Sequence, residues 1–486
     1  MKKGVAITAG VVIVGAGLWL GGTWYTGQRI EAESAERLAQ ANEDLAKAMP
    51  GYNVKVEQIS FSRTFFQSDA RYALTFVVPP ELAEAFPNGG RLEFDAHYQH
   101  GPFPGKALAA GHFAPSLAFV HSELVRTPQT ETWFKLSGDK TPLWSDMVLG
   151  YSGNATMHSE ITPLTFAEND VKLAFSGAVL KGDYTRSNKG TKGTMTAASF
   201  TGEGPDRSEG AAPGARTALK ATDLAVDFDL RQGKFDMQTG STEMRIKDVS
   251  VDSAEFKLGI NDFAYGAKSE ETDQFVNGSI WYRAGALNVN SQALGSQQFT
   301  MKLDRLDGKT LANVVKLYNQ VAAEQMAAGQ PADQLPPEQL QKLGEAALPL
   351  LANNPTIALE PVSWKTDKGE STLNLKLTLA QPANAKVPAV MLAQQVIKSL
   401  DTKLVLNKTM VTDLTAKFLQ LKGLTPDVAL AQAKEQTDQL AGMAVMMNAG
   451  KIEGDNIIST LTYADGKINL NGREMPADAM LGAIPQ

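Results

Sequence analysis

All five histidines, His97, His100, His112, His121 and His158, fall within 62 residues. Imidazole ligates transition metals and carries protons near neutral pH, so the clustering raises both chemistries. His97 and His100 are three apart, which would place them on one face of a helix. The preceding Leu92-Glu93-Phe94-Asp95 alternates like a strand, however, and on a strand two such rings point to opposite sides. Zinc needs three or four convergent ligands. The chain has no cysteine and no HExxH segment, so no metal site is predicted.

Nucleophile and phosphate signatures are incomplete. Gly150-Tyr151-Ser152-Gly153 begins like the G-x-S-x-G elbow, but Asn154 stands where the last glycine belongs, which predicts a turn at a strand end. Gly308-Lys309-Thr310 has the ending of a phosphate-binding loop, yet Leu303 occupies the position of its first glycine. Asp227 and Asp229 share one strand face, an arrangement suited to acid–base work or cation binding. With Leu224, Val226, Phe228 and Leu230 opposite them, they read as a solvated outer face. Met443, Met446 and Met447 would form an adaptable contact surface if exposed; their helical spacing predicts helix core instead. No catalytic residue, cofactor or metal is expected, and the chain reads as non-enzymatic.

The elements that would position these residues follow from composition and periodicity. Of 486 residues, 43% are apolar and 20% charged, close to globular averages. Lys and Arg total 46 against 53 Asp and Glu, a net charge of −7. No basic patch stands out, so nucleic acid is not an expected partner. After Lys2 and Lys3, no charged residue occurs from Gly4 to Gln28, longer than the roughly 20 residues that cross a bilayer. Residues 4–27 are therefore predicted to be a transmembrane anchor. The two lysines place residues 1–3 in the cytoplasm, and Trp19, Trp24 and Tyr25 suit the far membrane–water interface. A cleaved signal peptide, ending at Gly15-Ala16-Gly17, is disfavoured because Leu18, Trp19 and Leu20 continue the apolar run. Gly17 and Gly21 form a small-xxx-small pair that would let two anchors pack closely. The bulk of the chain is expected to be exported.

Residues 28–49 read as a helical stalk or first helix, ended by Pro50-Gly51. From 50 to about 305 the period falls to two, as in Leu224, Val226, Phe228 and Leu230, and again later in Leu373, Leu375, Leu377 and Leu379. Asn88-Gly89-Gly90, Asn277-Gly278, Asp367-Lys368-Gly369 and Asp465-Gly466 predict hairpin turns. Gly202 to Thr217 reads as a loop. Residues 306–486 mix strands with helical spacing at Leu311 to Ala322, at Val390, Ala393, Ile397 and Leu400, and from Thr425-Pro426-Asp427 to Met447. The predicted fold class is α+β: an N-terminal transmembrane helix, then a large, mainly antiparallel β-sheet ectodomain with helices packed on the sheet in its C-terminal part.

Several short segments together resemble the YdgA-type proteins of Gram-negative bacteria. They are Gly21-Gly22-Thr23-Trp24-Tyr25-Thr26-Gly27, His100-Gly101-Pro102-Phe103-Pro104, Gly150-Tyr151-Ser152-Gly153, Trp364-Lys365 with Ser371-Thr372-Leu373-Asn374-Leu375, and Leu470-Asn471-Gly472 with Met475. The resemblance implies an inner-membrane protein facing the periplasm, in a family of unassigned molecular function loosely labelled virulence-associated. It carries over no catalytic residue. His100-Gly101-Pro102-Phe103-Pro104 reads as a stiff turn: Gly101 is conformationally free, while Pro102 and Pro104 fix their φ and end the strand ladder. The turn presents Phe103 either as a structural corner or as a recognition loop.

The expected activity is thus non-catalytic binding by an anchored periplasmic ectodomain. Its partners are the inner-membrane bilayer and either a second copy of the chain or another envelope protein. The rival expectation is a lipid or hydrophobic-ligand handler using an apolar sheet face; a closed face favours the first reading and an open apolar trough the second.

Overall fold

In a computed structural model of the chain, the described residues run from 38 to 476, interrupted at 40, 47–48, 50, 65–66, 80–82, 84–85, 87, 101–102, 209–210, 329, 331–334, 385–386 and 388. They divide into two compact units. The first takes the described residues up to 202, then 225–238 and 313–345; the second takes 203–224, 239–312 and those from 346 onward.

In the first unit, β1 (Lys55–Arg63), β2 (Gln67–Thr75), β3 (Arg91–His100), β4 (Ala118–Leu124), β5 (Leu143–Leu149) and β6 (Ala155–Ile161) each pair antiparallel with the next. β7 (Leu164–Glu168) and β8 (Val171–Phe175) form a hairpin, after which β9 (Ala178–Thr185) pairs with β6 and β10 (Gly190–Pro205) with β9. Short helices α1 (Gly105–Ala109) and α2 (Glu131–Leu136) fill the connections on either side of β4.

Two-residue alternation decides which face is core. In β3, Leu92, Phe94, Ala96 and Tyr98 are buried while Glu93, Asp95 and His97 point the other way. In β5, Leu143, Ser145, Met147 and Leu149 are buried and Trp144, Asp146 and Val148 are not, as a half-buried antiparallel strand requires. Polar pairs on this inner side satisfy themselves: Ser159 Oγ donates to Ser145 Oγ across 2.8 Å, and the Tyr72 and Tyr98 hydroxyls lie 3.2 Å apart. Helical residues 41–46 close the core by inserting Leu45, which is 0% exposed, among Val54, Val56, Leu74 and Leu92. The same helix caps the sheet edge. Asn42 Nδ2 donates to Val56 O at 3.0 Å while Val56 N donates to Asn42 Oδ1 at 2.7 Å, so a side-chain amide stands where a strand would otherwise pair.

The second unit holds longer strands. β11 (Arg216–Gln232) begins in it, followed by β12 (Gln238–Asp252), β13 (Lys257–Glu271), β14 (Phe275–Val289), β15 (Gln292–Asp307), β16 (Thr356–Thr366), β17 (Gly369–Leu379) and β18 (Ile397–Asn407). From β12 to β18 each pairs antiparallel with the next. β20 (Asn456–Ala464) pairs with β18, and its other edge takes β19 (Lys451–Glu453) and β21 (Lys467–Leu470), with β22 (Arg473–Pro476) beyond β21. Of the later helices, α3 (Gly308–Ala327) and α4 (Pro337–Ala347) fall mostly in the first unit, and α5 (Ala389–Val396), α6 (Lys408–Leu421) and α7 (Pro426–Met446) in the second. Among the described residues no helix is long and apolar enough to cross a membrane. The predicted anchor at 4–27 lies outside them.

Two of the four turn signals are realised as tight hairpins, and Asn88-Gly89-Gly90 instead ends the long connection between Thr75 of β2 and Arg91 of β3. Asp465 and Gly466, at φ 50° and 74°, form a two-residue hairpin between Ala464 and Lys467, and Asp367-Lys368 joins β16 to β17. Asn277-Gly278 is not a turn: both residues sit inside β14 at a register shift, where Asn277 Oδ1 accepts from the backbone N of Arg305, itself at φ 63°. A bulge uses the same backbone chemistry as a turn without reversing the chain. The predicted loop at Gly202 to Thr217 shrinks to 206–215, because β10 reaches Pro205 and β11 begins at Arg216. The helical spacing after Val390 ends at Val396. Ile397 and Leu400 belong to β18, where strand pairing overrides the local period. α6 is an unpredicted helix, although Met410, Leu414 and Phe418 are spaced four apart; it starts where Asn407 Oδ1 accepts from Met410 N at 2.9 Å.

α7 begins as its sequence predicts, with Thr425 at the N-cap and Pro426 in the first turn. Its packed stripe is Ala429, Ala433, Thr437 and Ala441, small residues that let it lie close on α6. The expectation that Met443, Met446 and Met447 are helix core is overturned. They lie off that stripe, and Met446 is 79% exposed.

Leu45 supplies a direct test of the first core. Leu45→Ala is expected to lower unfolding free energy by about 2–5 kcal/mol, the range for a fully buried leucine, read from urea denaturation followed by circular dichroism.

Candidate functional site

The outer face of the first unit gathers chemistry that lies far apart in the sequence. Direct cross-strand pairing sets Asp69, His97, His121, Asp146, His158 and Lys181 in one row over β2, β3, β4, β5, β6 and β9. His97 Nδ1 donates to Asp69 Oδ1 and His121 Nδ1 to Asp146 Oδ1, each at 2.6 Å, leaving both Nε2 atoms turned from their carboxylates. His158 Nε2 lies 2.9 Å from Glu160 Oε1. The Trp144 indole stacks on the His158 ring at 5.5 Å and 12°. In the next row Arg71 donates twice to Asp95 at 2.7 Å.

One open cleft of about 450 Å³ lies on this face. Phe119, His121, Trp144 and Asp146 line it from the sheet, Lys106, Ala109 and Ala110 from the α1 side. α1 is fixed over the sheet because Lys106 N donates to Gln99 Oε1 at 3.2 Å and its ammonium lies 5.9 Å from the Phe119 ring centre. His121 Nε2 is 3.9 Å from Glu123 Oε1, whose carboxylate accepts from Thr141 Oγ1 at 3.3 Å. The lining holds neither serine nor cysteine, so no acyl-transfer triad assembles there. Among the described residues no group of three or more His, Asp or Glu is placed to hold a metal ion. The row is a lattice of hydrogen bonds between partly exposed side chains, each of small energetic weight.

His100 sits on the opposite side of β3 from His97, as alternation predicts. Its Nε2 is buried with no hydrogen-bond partner. Burial first, and the charge of Arg63 second, hold its pKa below the ordinary histidine value, which favours the neutral ring. In the predicted recognition loop, Gly101 and Pro102 lie outside the described residues, Pro104 is buried, and Phe103 is 55% exposed. Trp19, Trp24, Tyr25, Gly17 and Gly21 also lie outside the described residues.

The weaker motifs have structural roles. Gly150 to Asn154 is a tight connection from β5 to β6, with Gly150 N donating to Asn154 O at 2.8 Å. Thr310 donates from both its backbone N and its hydroxyl to Asp307 Oδ1, at 2.9 and 2.8 Å. The hydroxyl a phosphate loop would offer its ligand is therefore held by Asp307, the carboxylate that caps the helix. Asp227 accepts from Thr194 Oγ1 at 2.6 Å, and Asp229 lies 3.0 Å from Lys192 Nζ.

The second unit carries an apolar face that alternation made legible only strand by strand. Register joins Tyr282, Phe299, Val362, Leu373 and Leu404 into one row, and Ile280, Met301, Leu359 and Leu375 into a second. Leu303, Ile357, Leu377, Leu400 and Tyr463 form a third. None of these side chains reaches full burial, whereas the inner face of the first unit is lined by residues at 0–7% exposure. At about 4.8 Å per strand, a five-strand row is about 20 Å long. α6 covers one end of the face: Met410 and Leu414 pack with Leu294 and Trp364, and Phe418 meets the Trp364 ring edge-on at 6.3 Å.

Residues 1–478 match the family described as "Bacterial protein of unknown function (DUF945)", and the chain belongs to that family. It is 30% identical over 493 aligned residues to "Protein YdgA" of Escherichia coli strain K12, covering 98% of this chain and 95% of that one. It is 25% identical to "Uncharacterized protein YihF" of the same organism, covering 97% of each. An "Uncharacterized protein" of Haemophilus influenzae is 22% identical over 65% of this chain and 86% of its own length. No solved structure matches.

His100 predicts a pH dependence. Because the folded state depresses its pKa, the stability this ring allows is complete above the unfolded value of about 6.5 and is lost as pH falls toward the lower folded value. His100→Asn is expected to flatten that decline, seen by comparing urea midpoints of both proteins at several pH values from neutral to mildly acidic.

Proposed function

We propose that this chain is a non-catalytic envelope protein that holds the acyl chain of a lipid on the apolar face of its second unit. The observation that carries this reading is the incomplete burial of three adjoining rows, typified by Leu373, Leu375 and Leu377. A face meant to be covered by its own domain packs to near-zero exposure, and contiguous apolar surface of several hundred Å² usually marks a binding site. A row about 20 Å long has room for one acyl chain of about 15 Å, since two span a hydrocarbon core of about 30 Å. The opposite sides of β17 and β18 are wet, with Asn374, Lys376, Asp401 and Lys403 exposed, so an apolar ligand has one side to choose.

The membrane places the protein beside its ligand in this reading. The uncharged stretch at 4–27, preceded by Lys2 and Lys3, supports a single-pass inner-membrane anchor with the bulk of the chain in the periplasm. The incomplete nucleophile and phosphate motifs support binding over catalysis.

Two measurements test this. The full chain and its Leu375→Asp/Leu377→Asp variant are purified in the same detergent, and bound phospholipid is quantified by mass spectrometry. The variant is expected to lose the tightly held lipid; equal lipid in both sinks the reading. In lipid-free protein, Leu375→Ala is expected to cost less than about 1.5 kcal/mol. A loss of about 2–5 kcal/mol would instead mark a closed core.

A further inference from the structure

We infer that the segment from Phe103 to Phe113 is a second membrane contact, which inserts its aromatic side chains into the surface of a phospholipid bilayer. It contains three large apolar side chains facing water: Phe103 at 55%, Leu108 at 36% and Phe113 at 75% exposure. They do not belong to a loose loop. Leu108 N donates to Pro104 O at 3.1 Å, His112 N to Ala107 O at 2.9 Å, and Lys106 N to Gln99 Oε1 at 3.2 Å. Ala107 is fully buried on the underside. The backbone is thus pinned to the sheet while its apolar side chains project outward, an arrangement that leaves apolar surface in water unless something apolar receives it.

Charge selects the occupant. From residue 96 to residue 122, between Asp95 and Glu123, there are 27 residues without one Asp or Glu, in a chain where 53 of 486 residues are acidic, about one in nine. Within that stretch Lys106 is the lysine, and it stands between the exposed phenylalanines in the sequence. A segment whose own residues are apolar or cationic fits the anionic, headgroup-lined surface of a bilayer, where phenylalanine and leucine lie below and lysine snorkels outward; the carboxylates near Lys106, Glu123 and Asp146, line the cleft from the sheet side. The inference does not rest on the apolar face of the second unit.

The absence of native cysteine makes the test clean. Phe103→Cys, Phe113→Cys and, as a control on an exposed strand position, Lys172→Cys are made separately in the full chain and labelled with an environment-sensitive nitrobenzoxadiazole dye. Each is reconstituted into phosphatidylethanolamine–phosphatidylglycerol vesicles, and flotation confirms association. Labels at 103 and 113 are expected to shift to the blue and to be quenched about twofold or more by shallow spin-labelled lipid, with the control unchanged. Aqueous, unquenched emission at both positions in vesicles that carry the protein overturns the inference while leaving the anchor intact. A blue shift that appears in detergent-free protein without lipid, and grows with protein concentration, also overturns it and points to a protein partner. Loss of phospholipid from the Leu375→Asp/Leu377→Asp protein reports on the other face and leaves these readings unaffected.

Discussion

Alternate side chains of an extended strand point to opposite faces, and this period of two governs both units. A one-residue slip in any pairing would exchange core for surface along a whole strand. In β5 that rule sends Leu143, Met147 and Leu149 inward and Trp144 and Asp146 outward. The same rule in β3, β4 and β6 brings His97, His121 and His158 to the wet side. The histidine row is therefore a by-product of burying Ala96, Tyr98, Val120 and Met157. Once the apolar positions choose the core, the polar ones have no freedom left. Residues 24 or 25 apart in the sequence become partners, as His121 and Asp146 do.

The two units apply the rule to different ends. In the first, helical residues 41–46 and the short α2 bring Leu45 and Phe134 onto the sheet, and its inner face closes. In the second, α6 covers only the end marked by Trp364 and Leu294, while the leucine rows beyond it keep part of their surface in water. The short 3-10 helix Leu348–Asn353 also meets β15, and α5 meets β18, yet the rows stay only partly buried. That uncovered remainder gives the acyl-chain reading its physical basis. The exposed ion pairs of the first unit matter less energetically, since charge pairs in water contribute little, although they fix ring orientations around the cleft.

Family membership runs through residues 1–478, so it takes in the uncharged N-terminal stretch and both units together. The relatives' names state no activity. Function is therefore argued from sites: an apolar face in one unit, an acid-free aromatic tip in the other. Both are built from residues that stay exposed despite being apolar, which is where a folded chain departs from simple burial.

The sequence by itself determined the period of the strands, the antiparallel class, the turns at Asp367-Lys368 and Asp465-Gly466, the start of α7 and the opposite orientations of His97 and His100. These are local: each depends on neighbours along the chain and on the φ that glycine, proline, asparagine or aspartate permits. Tertiary structure decided what local rules leave free. Register chose which histidine met which aspartate, and pairing with β17 and β20 turned Ile397 and Leu400 from helical spacing into strand. The bulge at Asn277 took over a turn signal, and packing of α7 on α6 left Met446 outside. Whether a leucine face is closed or open depends on what lies above it, and no stretch of sequence contains that information, because the covering element comes from elsewhere in the chain.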